Sequence, residues 1–296
     1  MIEYHADDYG MFKTQSKHIM DCYHDGALNG ISIMPNSPYL EECMAEIEGF
    51  RKKLAVAVHL NFVEGKPLTK ASRLVDRDGN FSIGFAKLLF VGFVPVLRIF
   101  YRKQVKREVE AQLLKCQPYM NDGKFRIDGH LHYHMLPIVF DSVMKVVKEN
   151  NLQVSYIRFP REDMDIYRRA SGKVKGIKPI NIIKVLVLNT LAGRNERKYR
   201  EALTGLDVKR KLFMGVMLSG HMFYDEVKEC ITHAADIMAD RGLQDMEILF
   251  HPGDVTEESE VKELTSKDDL NFLNINSKNR HLEAEALKKF GGNLRR

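Results

Sequence analysis

Short apolar runs of β type recur along the chain, and most are followed by a stretch with helical spacing. Residues 2–6, 30–35, 54–59, 125–130, 154–159, 213–218 and 246–250 read as strands. Residues 13–23, 38–50, 138–149 and 224–240 read as helices, and 85–121 is mostly helical. Residues 60–82 carry Gly65, Pro67 and the turn Asp76-Arg77-Asp78-Gly79, which marks a loop. Residues 161–210 are basic and irregular apart from an apolar helix over 182–191, and the polar tail carries a helix over 280–290. Alternating strands and helices favour an α/β fold with a mostly parallel sheet and crossover helices. No fixed-period repeat or low-complexity segment interrupts this pattern.

The polar residues add chemistry. Asp7-Asp8, His59, His130 and His251 each fall just past the C-terminal end of a predicted strand. Active sites of α/β barrels and open α/β sheets collect at that edge. Within Asp128-Gly129-His130-Leu131-His132-Tyr133-His134, three histidines alternate, and a strand would turn all three to one face. The strand is expected to end near His130, leaving His132 and His134 on the loop beyond. Taken singly, each piece has an ordinary structural reading: an acidic pair caps a helix, a strand-end histidine packs, and His-Pro-Gly turns. Together they form a set. One of the two aspartates, His59 and one histidine of the cluster make a two-imidazole, one-carboxylate site that leaves positions open for water and substrate. The second aspartate is then free as general base, with His251 as general acid.

Composition narrows the class. The chain has 296 residues, a hydrophobic fraction of 44% and a charged fraction of 29%, ordinary for a globular protein. The net charge of +5 is too mild to signal nucleic acid, and no interleaved aromatic motif accompanies it. Cys22, Cys43, Cys116 and Cys230 are widely spaced and read as free thiols of a reducing compartment, the cytoplasm. The N-terminus lacks a signal-peptide pattern, and the longest apolar run, 88–97, is too short to span a bilayer. Two apolar segments, 88–100 and 177–191, are each followed by basic residues: Arg102, Lys103, Lys106 and Arg107 after one, and Arg194, Arg197, Lys198 and Arg200 after the other. They read as packed surface helices, or as a face for peripheral membrane contact or a homodimer.

The motifs carry a resemblance. Ala6-Asp7-Asp8-Tyr9-Gly10, His59 with Gly65-Lys66-Pro67-Leu68, the segment from Asp128 to Pro137, Arg158 with Arg161-Glu162, and His251-Pro252-Gly253 follow one another as in the YdjC-like carbohydrate deacetylases, the chitooligosaccharide and hopanoid-associated deacetylase family. The chain resembles that family over most of residues 1–255. The resemblance implies one domain over 1–296 on a distorted TIM-like (β/α) barrel, with basic helical insertions near 84–115 and 161–210. It implies a metal-dependent hydrolase that removes N-acetyl groups from an amino sugar, either an oligosaccharide or a lipid-linked glycan. Asp8, His59 and His130 are the implied metal ligands, Asp7 the proton acceptor and His251 the acid. His132, His134 and Arg158 are left to bind substrate or support the ligands. The donor set suits Mg or Zn first, with Mn, Co, Ni and Fe also compatible. Two departures stand out. Leu131 replaces a histidine common in relatives and, in a strand, would point away from His130; segment 161–210 matches poorly and leaves the substrate open. The alternatives are another metal-dependent amidohydrolase, built on His130-x-His132, and a non-catalytic binder of glycan or anionic lipid.

Overall fold

The computed structural model describes residues 1–170, 174–254 and 267–294, the last segment with side chains from 279 to 292. The polar stretch 255–266 and residues 171–173 of the basic segment lie outside the described residues.

Among the described residues seven strands form one sheet: β1 (Ile2–Tyr9), β2 (Gly30–Ile33), β3 (Ala55–Leu60), β4 (Phe125–Gly129), β5 (Val154–Ile157), β6 (Leu212–Met214) and β7 (Met246–Phe250). They run in the order β5-β4-β3-β2-β1-β7-β6, every pairing parallel. The sheet curls into an open TIM-like barrel. Its two edge strands do not pair along their length; one parallel bridge, Glu162 to Phe213, spans the seam. Glu162 also accepts the amides of Gly215, Val216 and Met217 and the hydroxyl of Tyr167, so one buried carboxylate ties the seam. Burial pushes its pKa up, and those donors only partly offset the rise.

The helices cover the outside: α1 (Lys13–His24), α2 (Leu40–Ile47), α3 (Phe85–Phe93), α4 (Pro95–Cys116), α5 (Pro137–Glu149), α6 (Met164–Arg169), α7 (Pro179–Lys198), α8 (Arg200–Gly205), α9 (Tyr224–Ile231), α10 (Ala234–Arg241) and α11 (Lys267–Leu294). Pro95, Pro137 and Pro179 each open a helix, where the missing N–H costs nothing. The expected helix 224–240 is two, broken around Thr232 and His233. The expected strand 213–218 stops at Met214. Gly215 there has φ +155°, and a Cβ on it would lie 2.6 Å from Leu249 Cβ, so the chain turns its next amides toward Glu162. Helix α11 docks through Phe290, whose ring lies 5.3 Å from Tyr4 and 4.7 Å from Tyr224.

The barrel interior is polar. Along β1, Tyr4 and Ala6 alternate with Glu3, His5 and Asp7, all buried. Barrels of this type ordinarily fill the inside with branched apolar side chains. Here Glu3 meets Arg126 and Lys211, His5 meets Glu3 and Ser32, Ser32 donates to Asp128, and Arg158 meets Asp7, Asp128 and Glu247. This network leads up to the C-terminal edge.

Candidate metal centre

A local irregularity of β1 brings two adjacent carboxylates to one place. In a regular strand, neighbouring side chains point to opposite faces. Between Ala6 and Tyr9 the register with β2 slips, Ala6 pairing with Ile31 and Tyr9 with Ile33, so β1 holds one extra residue. Asp8 sits in this bulge with φ +69°, a conformation that costs a non-glycine residue energy and recurs at functional sites. As a result Asp7 Oδ2 lies 3.8 Å and Asp8 Oδ1 3.4 Å from the same atom, Nε2 of His59.

His59 is the last but one residue of β3 and is buried. Its Nδ1 donates to Asp128 Oδ1 at 2.7 Å, which leaves Nε2 facing Asp8 with no hydrogen-bond partner. His130 opens the tight turn after β4 and places Nδ1 2.9 Å from Asp8 Oδ1. Asp8, His59 and His130 each offer one ligand atom, and the three atoms lie within 4.8 Å of one another. Two further groups meet the same distance, Glu3-His5-Glu247 and His5-Asp7-Asp128. Both already hold Arg126, Lys211 or Arg158, so they have cations of their own.

Charge favours an ion at the first group. Five interior carboxylates (Glu3, Asp7, Asp8, Asp128 and Glu247) face four permanent cations, Arg126, Arg158 and Lys211 from the barrel and Arg280 from α11. Burial works against a charged imidazole at His59, but Asp7 and Asp128 outweigh it and push its pKa up to about 10. Burial likewise raises Asp8, yet His130 and His59 hold its carboxyl well below the usual range. A divalent cation there would supply the charge that the proton on His59 otherwise provides, and its binding would release that proton. The buried Nε2 of His59 and the buried carboxylate of Asp8, with the His130 imidazole beside them, are donors that fit such an ion.

The other expected residues spread out. His132 and His134 do not share a face with His130. Leu131 and His132 have φ +47° and +58° in a turn that follows the strand, so Leu131 lies on that turn, 58% exposed, and not on a strand. His132 packs against Phe213 and His134, and burial holds it well below the ordinary imidazole range. His134 Nε2 bonds the carbonyl of Arg158 at 2.8 Å, and burial lowers its pKa to about 4. His130 and His132 therefore have different neighbours, Asp8 for the one and Phe213 with His134 for the other. Arg158 is fully buried and grips Asp7 Oδ2 at 3.0 Å, which leaves Asp7 Oδ1 buried without a partner. Burial raises the Asp7 carboxyl, but Arg158 outweighs it and lowers the pKa. His251 follows β7 at the same edge, its backbone N–H held by Glu283 at 2.6 Å.

Sequence reasoning missed three groups. Asp128 orients His59. Ser32 and His5 support Asp128 from below. Arg280 of α11 reaches in to 3.8 Å from Asp8 Oδ2, with Nη1 buried and unbonded. A signal for the first two existed in the period-two polar residues Glu3-His5-Asp7 and Arg126-Asp128. No pattern in the tail pointed to Arg280. Apart from the site, a cavity of about 510 Å³ opens at the barrel seam beside Tyr156, Asn189 and Leu243. It holds none of Asp8, His59 or His130, and its Arg161, Arg210 and Arg241 are paired with Glu196 and Asp163.

Fold and site together define an α/β-barrel protein with a histidine–aspartate cluster at the C-terminal edge of its strands. The chain belongs to the YdjC-like protein family, whose profile matches residues 2–289. It is 30% identical over 152 residues to a carbohydrate deacetylase of Thermoanaerobacter pseudethanolicus, covering 50% of this chain and 57% of that protein. It is 30% identical over 162 residues to a carbohydrate deacetylase of Mus musculus, covering 53% and 48%. A chitooligosaccharide deacetylase of Yersinia pestis matches at 26% over 147 residues, 50% and 55%. The chain thus spans about half the length of these curated relatives. A crystal structure from Enterococcus faecalis V583, provisionally described as a cellobiose-phosphate cleavage protein, superposes with a TM-score of 0.60 at 17% identity, covering 99% of this chain and 93% of that one. It shares the fold.

Proposed function

We propose that the chain is a metal-dependent hydrolase that removes the N-acetyl group from an amino sugar. The observation that carries this reading is the convergence of Asp8, His59 and His130 within 4.8 Å beside the unbonded Oδ1 of Asp7. The relatives named as carbohydrate and chitooligosaccharide deacetylases support the substrate class. Asp8, His59 and His130 would hold the ion, Zn or Mg by preference, with Mn, Co, Ni or Fe suiting the same donors. Bound there, such an ion would acidify the attacking water and polarise the acyl oxygen. Asp7 takes the water's proton at Oδ1 while Arg158 fixes Oδ2. The amide C–N bond breaks, His251 protonates the departing nitrogen, and acetate and a free amine result. His132, kept neutral by burial, adds no competing positive charge to this wall.

The test is acetate release from acetylated chito-oligosaccharides by the purified full chain, with its metal content measured. Expected are a stoichiometric divalent ion, turnover that a chelator abolishes, and recovery with Zn or Mg. Undiminished turnover by Asp8→Ala, or no acetate from the loaded protein, overturns the reading.

A further inference from the structure

Two segments that the catalytic reading leaves unused meet beside the site. Helices α3 and α4 join at a corner that exposes Phe90, Phe93, Val96, Ile99 and Phe100. Helix α7 buries Asn181, Val185 and Leu188 on one side, yet leaves Ile180, Ile183 and Leu186 in solvent on the other. Phe90, Val96 and Leu186 are 61%, 65% and 60% exposed. A helix apolar all round belongs in a core or a membrane, so the outer face of α7 asks for a cover.

The two segments are neighbours. The Arg194 guanidinium of α7 lies 5.6 Å over the Phe93 ring of α3, and Asp141 of α5 pairs with both Arg98 and Lys198. Both also touch the turn that carries His130. Asn195 bonds the carbonyl of Met135 at 2.9 Å, and the rings of Phe85 and Tyr133 stand 5.3 Å apart. Leu131, exposed and next in sequence to His130, belongs to that same turn.

Charge selects the occupant. Residues 85–107 contain Lys87, Arg98, Arg102, Lys103, Lys106 and Arg107 and no carboxylate; Arg98 is paired with Asp141 and Lys106 with Glu149 from outside the segment, so the excess rests on Lys87, Arg102, Lys103 and Arg107. Residues 174–195 contain Lys175, Lys178, Lys184 and Arg194, again with no carboxylate. A second copy of the chain would set these basic faces against each other. An anionic lipid surface takes both the cations and the apolar side chains, and two such signals together give stable attachment. Among the described residues no helix is long and apolar enough to cross a membrane, so attachment lies in the interface.

We propose that the α3–α4 corner, Leu131 and the N-terminal half of α7 form one face that docks on an anionic bilayer, with the rim of the metal centre turned toward the lipid. Docking stands independently of the catalytic reading.

The test is co-sedimentation of the full chain with phosphatidylcholine vesicles, neutral or with about 30 mol % phosphatidylglycerol. Expected is binding to the anionic vesicles alone, weakened by salt. The double variant Ile183→Glu/Leu186→Glu, and separately Val96→Glu, should lower that binding by about tenfold or more with melting temperature unchanged, since these side chains are already in solvent. Lys178→Glu/Lys184→Glu checks the charge component and should weaken binding without touching an apolar group. Failure to bind anionic vesicles overturns the proposal. So does a dimer by light scattering that Leu186→Glu dissociates in a chain that ignores vesicles, because a second copy then covers the face. Failure of acetate release with vesicle binding intact counts against the catalytic reading alone.

Discussion

The Nδ1–H of His59 points at Asp128 Oδ1, 2.7 Å away, and this bond decides which nitrogen of the ring is offered to a ligand. A carboxylate behind a ligating histidine fixes its tautomer and raises its basicity. Asp128→Asn should therefore lower the affinity for a divalent ion by about ten- to a hundredfold. Competition against a chromogenic zinc chelator measures it. Equal affinity in the variant, with its melting temperature preserved, would sink this role for Asp128.

Asp7 shares the bulge with Asp8, but its Oδ2 is committed to Arg158. Asp7→Asn should keep the ion and lose turnover by more than about a hundredfold. Metal content and initial rates on one preparation separate the two. Hydrolysis at the wild-type rate would remove Asp7 as base, whereas loss of the ion would make it a ligand.

Arg280 brings a cation from the last helix to 3.8 Å from Asp8, with one nitrogen buried and unbonded. A donor held there without a protein partner suits an oxygen of the substrate. Arg280→Ala should raise KM by about tenfold with a smaller change in kcat and no loss of metal. If kcat and KM both stay put, the residue serves only to seat α11.

Asp141 joins three helices, accepting from Lys198 and Tyr199 at 2.7 Å each and from Arg98. Burial raises its carboxyl, yet these donors outweigh that and hold it below the ordinary value of 3.8. A carboxylate depressed on folding stabilises the native state above its unfolded pKa. That contribution is lost as pH falls through the lower folded value. Asp141→Asn should cost about 1–3 kcal/mol at neutral pH and flatten the acid limb of stability below about pH 4. Urea unfolding across that range reads both effects; an unchanged acid limb would show that the donors do not stabilise the anion.

Much of this protein is legible one segment at a time. Strands ending on Asp7-Asp8, His59, His130 and His251 announce a barrel edge, because apolar runs and period-two alternation are local properties of the chain. The same local grammar misplaced the ends of β6 and the helix over 224–240. A glycine crowded by Leu249 and a break at Thr232 answer to neighbours distant in sequence.

By itself the sequence determined the α/β alternation, the identity of the ionisable groups and the edge on which they gather. Only the tertiary structure decided which of them meet. Whether Asp7 and Asp8 face one way depends on a bulge against β2, and whether His130 or His132 reaches Asp8 depends on two left-handed residues after β4. The partner of His59 lies 69 residues away on the adjacent strand, and Arg280 arrives from the last helix. Local spacing sets a side chain's direction along its own element. Coordination and charge balance are set by distances between elements, which fall off too steeply to be read along a line.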